Sequence, residues 1–375
     1  MAEQFNLLET LMSGLTISFT GLKKQYNNLR TEILEATDEV LRSGQLMNGN
    51  YTAEFENWLA KKNSSKYAVT CHSGTHALEI IAGYYADRVA IHPPRVLIPS
   101  MTYAATANAF MRAGWDIHFI DTDHYGIIDP ENIPNDVSYQ AIVMVGLYGA
   151  SIKNLSDRRW PLRSVANDVT WIEDAAQHWL SDRGIRFGSA AAISFDPMKN
   201  LACYGNGGAV VTNDIDLLEY ARAWRDNGKG THQQIGTNSR MSEIDCAQMM
   251  VKTRYIDSWQ ERRRDIAAYW MERLNKSSIR CLIDSKNFDN HSFHKFVIDL
   301  DQRDILKQNL AIKKIETRIH YNLPLHELGV FRQWPGPDIL SRASALSRRV
   351  LSLPIYPELS DLEVDYVIDQ VLDHA

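Results

Sequence analysis

Short apolar runs alternate with stretches of helical periodicity, and this alternation limits the fold more than any other feature of the chain. Tyr67 to Thr70, Arg95 to Ile98, Asp116 to Ile120, Ala141 to Gly146 and Val169 to Ile172 each read as a strand. Ser73-Gly74-Thr75 breaks the first of them, and His76 to Ala86 resumes as a helix. Strands separated by helices predict an α/β fold with a mainly parallel sheet covered on both faces. Before the first strand, Leu22 to Ser43 carries Leu29, Ile33, Leu34, Val40 and Leu41 near helical spacing, and Gly44 would end it. Thr52 to Lys61 fits a second helix. Gly207 to Thr212 reads as a turn into another strand.

The C-terminal third has a different rhythm. Ile244 to Met271 is predicted as one long helix linking two lobes. Beyond it come a strand over Phe293 to Leu300, a helix over Arg303 to Leu310, a strand over Ile315 to Tyr321 and a closing helix over Leu362 to Leu372. This part reads as a small α+β lobe. With 375 residues, two lobes are the expected organisation. The divisions are an N-terminal extension over 1–18, a large domain over 19–258 and a small C-terminal domain over 259–375. Phe5, Leu7, Leu8 and Leu11 in the extension are available to pack on a partner subunit; the alternative is a frayed tail.

Composition removes several classes of function. A formal net charge of −6 gives no support for nucleic acid or an anionic membrane surface. No run of about 18 apolar residues is present, so no transmembrane helix is expected. The N-terminus lacks the basic and apolar regions of a signal peptide. Cys71, Cys203, Cys246 and Cys281 form no CxxC pair, so neither a zinc site nor a redox motif is indicated. Reduced thiols in a cytoplasmic compartment are the simple expectation.

Chemistry concentrates at a few segments. Ser73-Gly74-Thr75 places free backbone N–H groups at the positive end of a helix, a ready phosphate site, although a plain helix cap has the same appearance. Asp174 follows the apolar run Val169 to Ile172, so a carboxylate stands at the carboxyl end of a strand, where ligands of open α/β sheets gather. Glu173 competes for that role, because adjacent strand residues face opposite ways, and Asp174 could instead cap the next helix. Tyr103, in a loop of small residues, could cover a cofactor ring or simply pack. Lys199 lies in Ser194-Phe195-Asp196-Pro197-Met198-Lys199-Asn200, where Pro197 keeps the preceding backbone extended. Buried without an acidic partner, its amine would lose basicity and gain nucleophilicity. A buried amine and a strand-end carboxylate suit pyridoxal phosphate, the one for a Schiff base, the other to keep the pyridine nitrogen protonated.

Five motifs in order then resemble a known family, the DegT/DnrJ/EryC1/StrS aminotransferases. They are Ser73 to Leu78, Glu173 to Gln177, Ser194 to Asn200, Gly205 to Asp214 and Gly236 to Glu243. The resemblance runs from about Phe19 to the C-terminus. It implies a type I aminotransferase fold, pyridoxal 5'-phosphate as cofactor, and pyridoxamine 5'-phosphate as the intermediate form. It implies that Lys199 carries the cofactor and moves the proton. Asp174 would pair with the pyridinium nitrogen and Gln177 with the ring hydroxyl. Gly74, Thr75 and Ser194 would hold the phosphate, and Tyr103 would stack on the ring. Asn238 would reach the phosphate of the other subunit, which implies a homodimer with shared active sites.

Some positions depart from the family pattern. Asp196 replaces an aromatic, a histidine or a small residue; facing inward it would raise the lysine pKa, and it is expected to point to solvent. Asn206 stands where Asp is frequent, and Cys71-His72 where small or polar residues are usual. The implied reaction is transfer of an amino group, with L-glutamate as donor, to a nucleotide-linked keto sugar. The segment from Ile315 to His326, with the form IHY-x-x-PLH, looks slightly more like members that aminate C3 than C4. His320, Tyr321 and His326 would border the sugar or its diphosphate, the alternative for the two histidines being packing at the domain seam, and Arg240 would bind a carboxylate or diphosphate or brace the dimer. Two alternatives remain: a sugar dehydratase using pyridoxamine phosphate, whose family members carry His in place of the lysine, and a non-catalytic regulator that binds sugar nucleotides.

Overall fold

The computed structural model describes residues 16–128, 133, 138–150, 169–181, 189–230, 232–333 and 340–375. Phe5, Leu7, Leu8 and Leu11 lie outside them. A seven-stranded sheet forms the centre of the large lobe. Its strands are β1 (Tyr67–Cys71), β2 (Arg95–Pro99), β3 (Asp116–Ile120), β4 (Ala141–Val145), β5 (Thr170–Asp174), β6 (Ala190–Ser194) and β7 (Gly208–Thr212), in the order β1-β7-β6-β5-β4-β2-β3. The pairs from β3 through β6 are parallel, and β7 is antiparallel to both β6 and β1. Six strands therefore run one way and β7 alone runs back. Strands β4, β6 and β7 are buried at every position, as expected for a sheet covered on both faces.

Two helices precede the sheet. Helix α1 (Leu22–Ser43) buries Leu29, Ile33, Ala36 and Val40 along one stripe and ends at Gly44 in the left-handed conformation. Helix α2 (Asn50–Lys62) buries Phe55 and Leu59. Helix α3 (Gly74–Ala86) leaves β1 with Ser73 as its cap, whose hydroxyl accepts the His76 N–H at 3.2 Å. Helix α4 (Ala104–Arg112) follows β2, and α5 (Ile215–Trp224) follows β7, capped by Asp214.

The expected helix over Ile244 to Met271 is two helices. α6 (Glu243–Thr253) and α7 (Ile256–Leu274) part at Arg254 and Tyr255, whose N–H groups turn back to Val251 and Lys252. The break follows from packing. α6 buries Cys246, Ala247 and Met249 in the large lobe, whereas α7 buries Ile266, Ala267 and Trp270 in the small-lobe core. A straight helix could not face both.

The small lobe holds a three-stranded antiparallel sheet of β8 (Arg280–Cys281), β9 (Phe296–Asp299) and β10 (Val350–Leu353), in the order β10-β9-β8. Helices α8 (Arg303–Ile312), α9 (Ser341–Arg349) and α10 (Asp361–His374) complete it. Ser360 and Glu363 form a reciprocal capping box at the start of α10. The strand expected over Ile315 to Tyr321 is not a ladder strand. It makes two isolated bridges, Ile315 with Ile17 and Arg318 with Ser352. Its backbone groups are satisfied piecemeal by these partners and by Tyr148, whose hydroxyl donates to the His320 carbonyl. Ile17 is 1% exposed and belongs to the small-lobe core, with exposed Thr16 and Ser18 on either side of it.

Candidate active site

The carboxyl ends of the parallel strands and the start of β7 converge on one cavity of about 420 Å³. β1 delivers Ser73, Gly74 and Thr75; β5 delivers Asp174 and leads into Gln177; β6 delivers Ser194 and leads into Asp196 and Lys199. The loop after β2 adds Tyr103, and Asn206 and Gly207 come from the approach to β7. From the small lobe come His294, Lys295, His320 and Tyr321.

Gly74 is needed for close approach. A Cβ built there would stand 2.7 Å from the Ser194 Cβ and 3.2 Å from its backbone Cα and its hydroxyl oxygen. The bare glycine leaves a cradle between the α3 N-terminus and the end of β6. Thr75 and Ser194 border that cradle, and the Ser194 hydroxyl accepts the Asp196 N–H at 3.3 Å. Its donors and positive helix end fit a phosphate.

Asp174 and Glu173 have separated as strand geometry requires. Glu173 is fully buried and meets His178 at 3.2 Å, away from the cavity lining. Asp174 is on the cavity wall, where Oδ2 accepts from the Thr106 hydroxyl at 2.7 Å and Oδ1 accepts from the Ala176 N–H at 3.2 Å. A carboxylate fixed this way is suited to a protonated heteroatom. Gln177 accepts the Tyr148 N–H at 2.8 Å through Oε1, so its Nε2 is the end left to donate, with the Tyr321 hydroxyl at 3.5 Å.

Lys199 is only partly exposed, and burial lowers the pKa of its amine, opposed by the charges of Asp174 and Asp196. Asp196 does not simply point to solvent. It is half-buried on the cavity wall, where its Oδ1 accepts the Met198 N–H at 2.9 Å and its carbonyl accepts the Lys199 N–H at 2.8 Å. The segment thus forms a tight turn that presents the lysine.

Tyr103 lies at the mouth, 60% exposed, its ring 5.9 Å from that of Tyr321 and tilted by 30°. His320 bonds Ser352 Oγ through Nδ1 at 2.8 Å, and burial, with Lys295 and Lys199 nearby, pushes its pKa down to about 3. His326 is outside the cavity lining; its Nδ1 meets Ser100 Oγ at 2.6 Å, joining the small lobe to the loop after β2. Asn238 and Arg240 are also outside the lining of their own chain's cavity. Asn238 is exposed and accepts from Arg240 at 3.3 Å, and Arg240 pairs with Asp226 at 3.4 Å.

Five wall or support residues were not singled out from the sequence. Thr106, in the first turn of α4, buttresses Asp174 and gives no sequence signal beyond its place in a run of small residues. Tyr148 has φ 63°, a left-handed backbone unusual for an aromatic, and ties Gln177, the Lys295 N–H and the His320 carbonyl together. Gly149 beside it allows Ser292 to close in: an added Cβ would meet Ser292 Oγ at 2.4 Å. His294 and Lys295 carried a signal, a polar pair inside the apolar run Phe293 to Leu300.

The fold and the chemistry of this site have known counterparts. The crystal structure of Streptomyces venezuelae DesV in complex with a ketimine intermediate superposes with a TM-score of 0.87 at 32% identity, covering 96% of this chain and 98% of that one. A dTDP-3-amino-3,4,6-trideoxy-alpha-D-glucose transaminase of S. venezuelae is 33% identical over 96% of each chain. A pleiotropic regulatory protein of Geobacillus stearothermophilus is 32% identical over 96% of this chain and 98% of its own length. By class, the protein is a pyridoxal-phosphate-dependent sugar aminotransferase with an α/β fold. More narrowly, the model of the DegT/DnrJ/EryC1/StrS aminotransferase family matches residues 27–372, and the chain belongs to that family.

Proposed function

We propose that this enzyme transfers the amino group of L-glutamate to C3 of a nucleotide-linked keto-deoxy sugar. The observation that carries the reading is the meeting of Lys199, Asp174 and the Gly74 cradle on one cavity wall. When bound, pyridoxal phosphate supplies the carbonyl that exchanges for an amine and a ring that takes up electron density. The N–H groups at Gly74 and Thr75 and the Ser194 hydroxyl bind its phosphate. Asp174 holds a proton at the pyridine nitrogen. Gln177 orients the ring hydroxyl through Nε2, and Tyr103 covers one face.

Lys199 Nζ accepts the α-proton of the donor, and in the return half gives a proton to the acceptor carbon. Its lowered pKa keeps a share of the amine unprotonated and ready to accept. His320 and Tyr321 border the sugar. The C3 preference is supported by the 3-amino product in the name of the S. venezuelae transaminase.

Residues 19–258 bind the cofactor in this reading, and residues 259–375 close over it. The enzyme acts as a homodimer in which Asn238 reaches the phosphate bound by a second copy. Arg240, beside Asn238, and His326 stand at the periphery, to brace the subunits and the sugar loop. A cytoplasmic location agrees with four free cysteines. No helix among the described residues is long and apolar enough to cross a membrane.

A visible spectrum of the purified protein, before and after L-glutamate, tests the cofactor and the donor together. A band near that of lysine-bound cofactor should collapse with glutamate and return with a 3-keto sugar nucleotide. Lys199→Ala should abolish turnover; retained turnover would sink the assignment. Recovery of the band with 4-keto but not 3-keto sugars would move the amination site to C4.

A further inference from the structure

Lys295 enters the cavity just ahead of β9, and its side chain has little solvent, the residue being 6% exposed. Its amine makes one long bond, to the Met198 carbonyl at 3.4 Å, and stands 4.9 Å from the centre of the Phe19 ring. No carboxylate among the described residues pairs with it. Its backbone is firmly placed, because its N–H donates to the Tyr148 carbonyl at 2.9 Å. The amine is therefore held at the wall of the cavity that contains Lys199.

The neighbourhood is rich in cations. Burial depresses the Lys295 pKa most, and the charges of Lys199, Arg263 and Arg318 depress it further, with Asp196 opposing. The imidazoles of His294 and His320 adjoin it on the cavity wall and are kept neutral chiefly by burial. Arg263 is spent elsewhere, donating to the Ile355 carbonyl at 2.6 Å. A buried amine with so little compensation is costly unless an anion joins it. Nothing proposed so far for Lys199, Asp174 or the phosphate cradle uses this amine.

We infer that Lys295 receives a carboxylate of the amino donor bound at Lys199, and so fits the site to amino acids. The inference rests on the transaminase reading above. The geometry suits it because the α-carboxylate of an amino acid is one bond from the carbon whose proton Lys199 removes. A cation on the same wall as Lys199 can hold that carboxylate while the proton moves. The same chemistry would serve the carboxylate of a uronic acceptor sugar, and the arms of the test separate the two.

Isothermal titration of cofactor-loaded protein with glutarate, a dicarboxylate without an amine or a ketone to react, isolates the anion site. Lys295→Met should weaken glutarate about tenfold or more, the loss of one charge-assisted bond, and Lys295→Arg should restore most of it. The visible band of lysine-bound cofactor should be unchanged in both variants. Donor KM should rise, with kcat within about threefold and acceptor KM unmoved. Unchanged glutarate affinity in Lys295→Met overturns the inference. Selective loss of acceptor affinity overturns it too, assigning the amine to the sugar's carboxylate or diphosphate. So does loss of the cofactor band in both variants, which would make Lys295 a brace for the Met198 turn. If wild-type protein binds glutarate through Lys295 but accepts no amino donor, the transaminase reading fails while the carboxylate site stands.

Discussion

Thr106 donates its hydroxyl to the Asp174 carboxylate at 2.7 Å, from helix α4 to the end of strand β5. The bond holds Oδ2 of the buried carboxylate while the Ala176 N–H holds Oδ1, and together they fix its plane. Thr106→Val keeps the shape and removes the donor. Removing one bond to a charged group should lower kcat about tenfold, with the fold intact by circular dichroism. Asp174→Asn should cost far more, since it removes the charge itself. Steady-state rates of both variants, at saturating cofactor, check the order.

Gly74→Ala should weaken cofactor binding more than it weakens the fold. The new methyl meets Ser194 Cβ at 2.7 Å, so the cradle must open for it. Overpacking of about 1–3 kcal/mol corresponds to a rise in cofactor Kd of roughly fivefold to 150-fold. Titration of apoprotein with pyridoxal phosphate, followed in the visible band, measures it directly.

Arg225 holds the underside of β1 in place. Its Nη1 donates to Glu56 Oε1 at 2.5 Å and to the Thr70 carbonyl at 2.7 Å, all three residues being buried. Arg225→Leu leaves Glu56 charged and unpaired, which should cost about 3–5 kcal/mol. Adding Glu56→Gln should recover part of the loss. Urea unfolding of the single and double variants provides the comparison.

Stability should fall as the solution is acidified below about pH 6.5, the ordinary histidine value. Burial pushes the pKa of His291 down to about 3, so the folded protein keeps this imidazole neutral. The unfolded chain binds a proton there near pH 6.5, which draws the equilibrium toward unfolding until the folded pKa is reached. The effect is about 1.4 kcal/mol per pH unit for each such group. His291→Asn keeps an acceptor for the Phe293 N–H, which His291 Nδ1 binds at 2.9 Å. Its melting temperature should depend less steeply on pH between 6 and 4.

Two of the three strands that carry the central site residues, β1 and β5, are plain in the sequence, and the third, β6, is not. β1 and β5 are largely apolar runs that lead into polar residues, and Ser73 and Thr75 after the first and Asp174 and Gln177 from the second stand on the cavity wall. Strand β6 was harder to see because Ala190-Ala191-Ala192 has no strong strand preference; burial between β5 and β7 decides it. The Ile315 to Tyr321 segment looked like a strand because its residues alternate, yet its partners are single residues far apart in the chain. Asp174 and Lys199 stood out through their motifs. Thr106 and Tyr148 did not, because their importance comes from what the fold brings beside them. A left-handed tyrosine leaves no trace in composition or periodicity.

Phe19 lies next to the segment read from sequence as an extension, and it backs two side chains of the active-site wall. Its N–H donates to Glu316 at 2.9 Å, its ring lies under the Lys295 amine, and it tilts against the His320 ring at 5.7 Å. Clipping the chain beyond Phe19 would therefore remove the ring that backs two cavity side chains. In a preparation of mixed N-termini, molecules trimmed past this ring would dilute the specific activity and, having lost Ile17 from the small-lobe core, would also melt earlier.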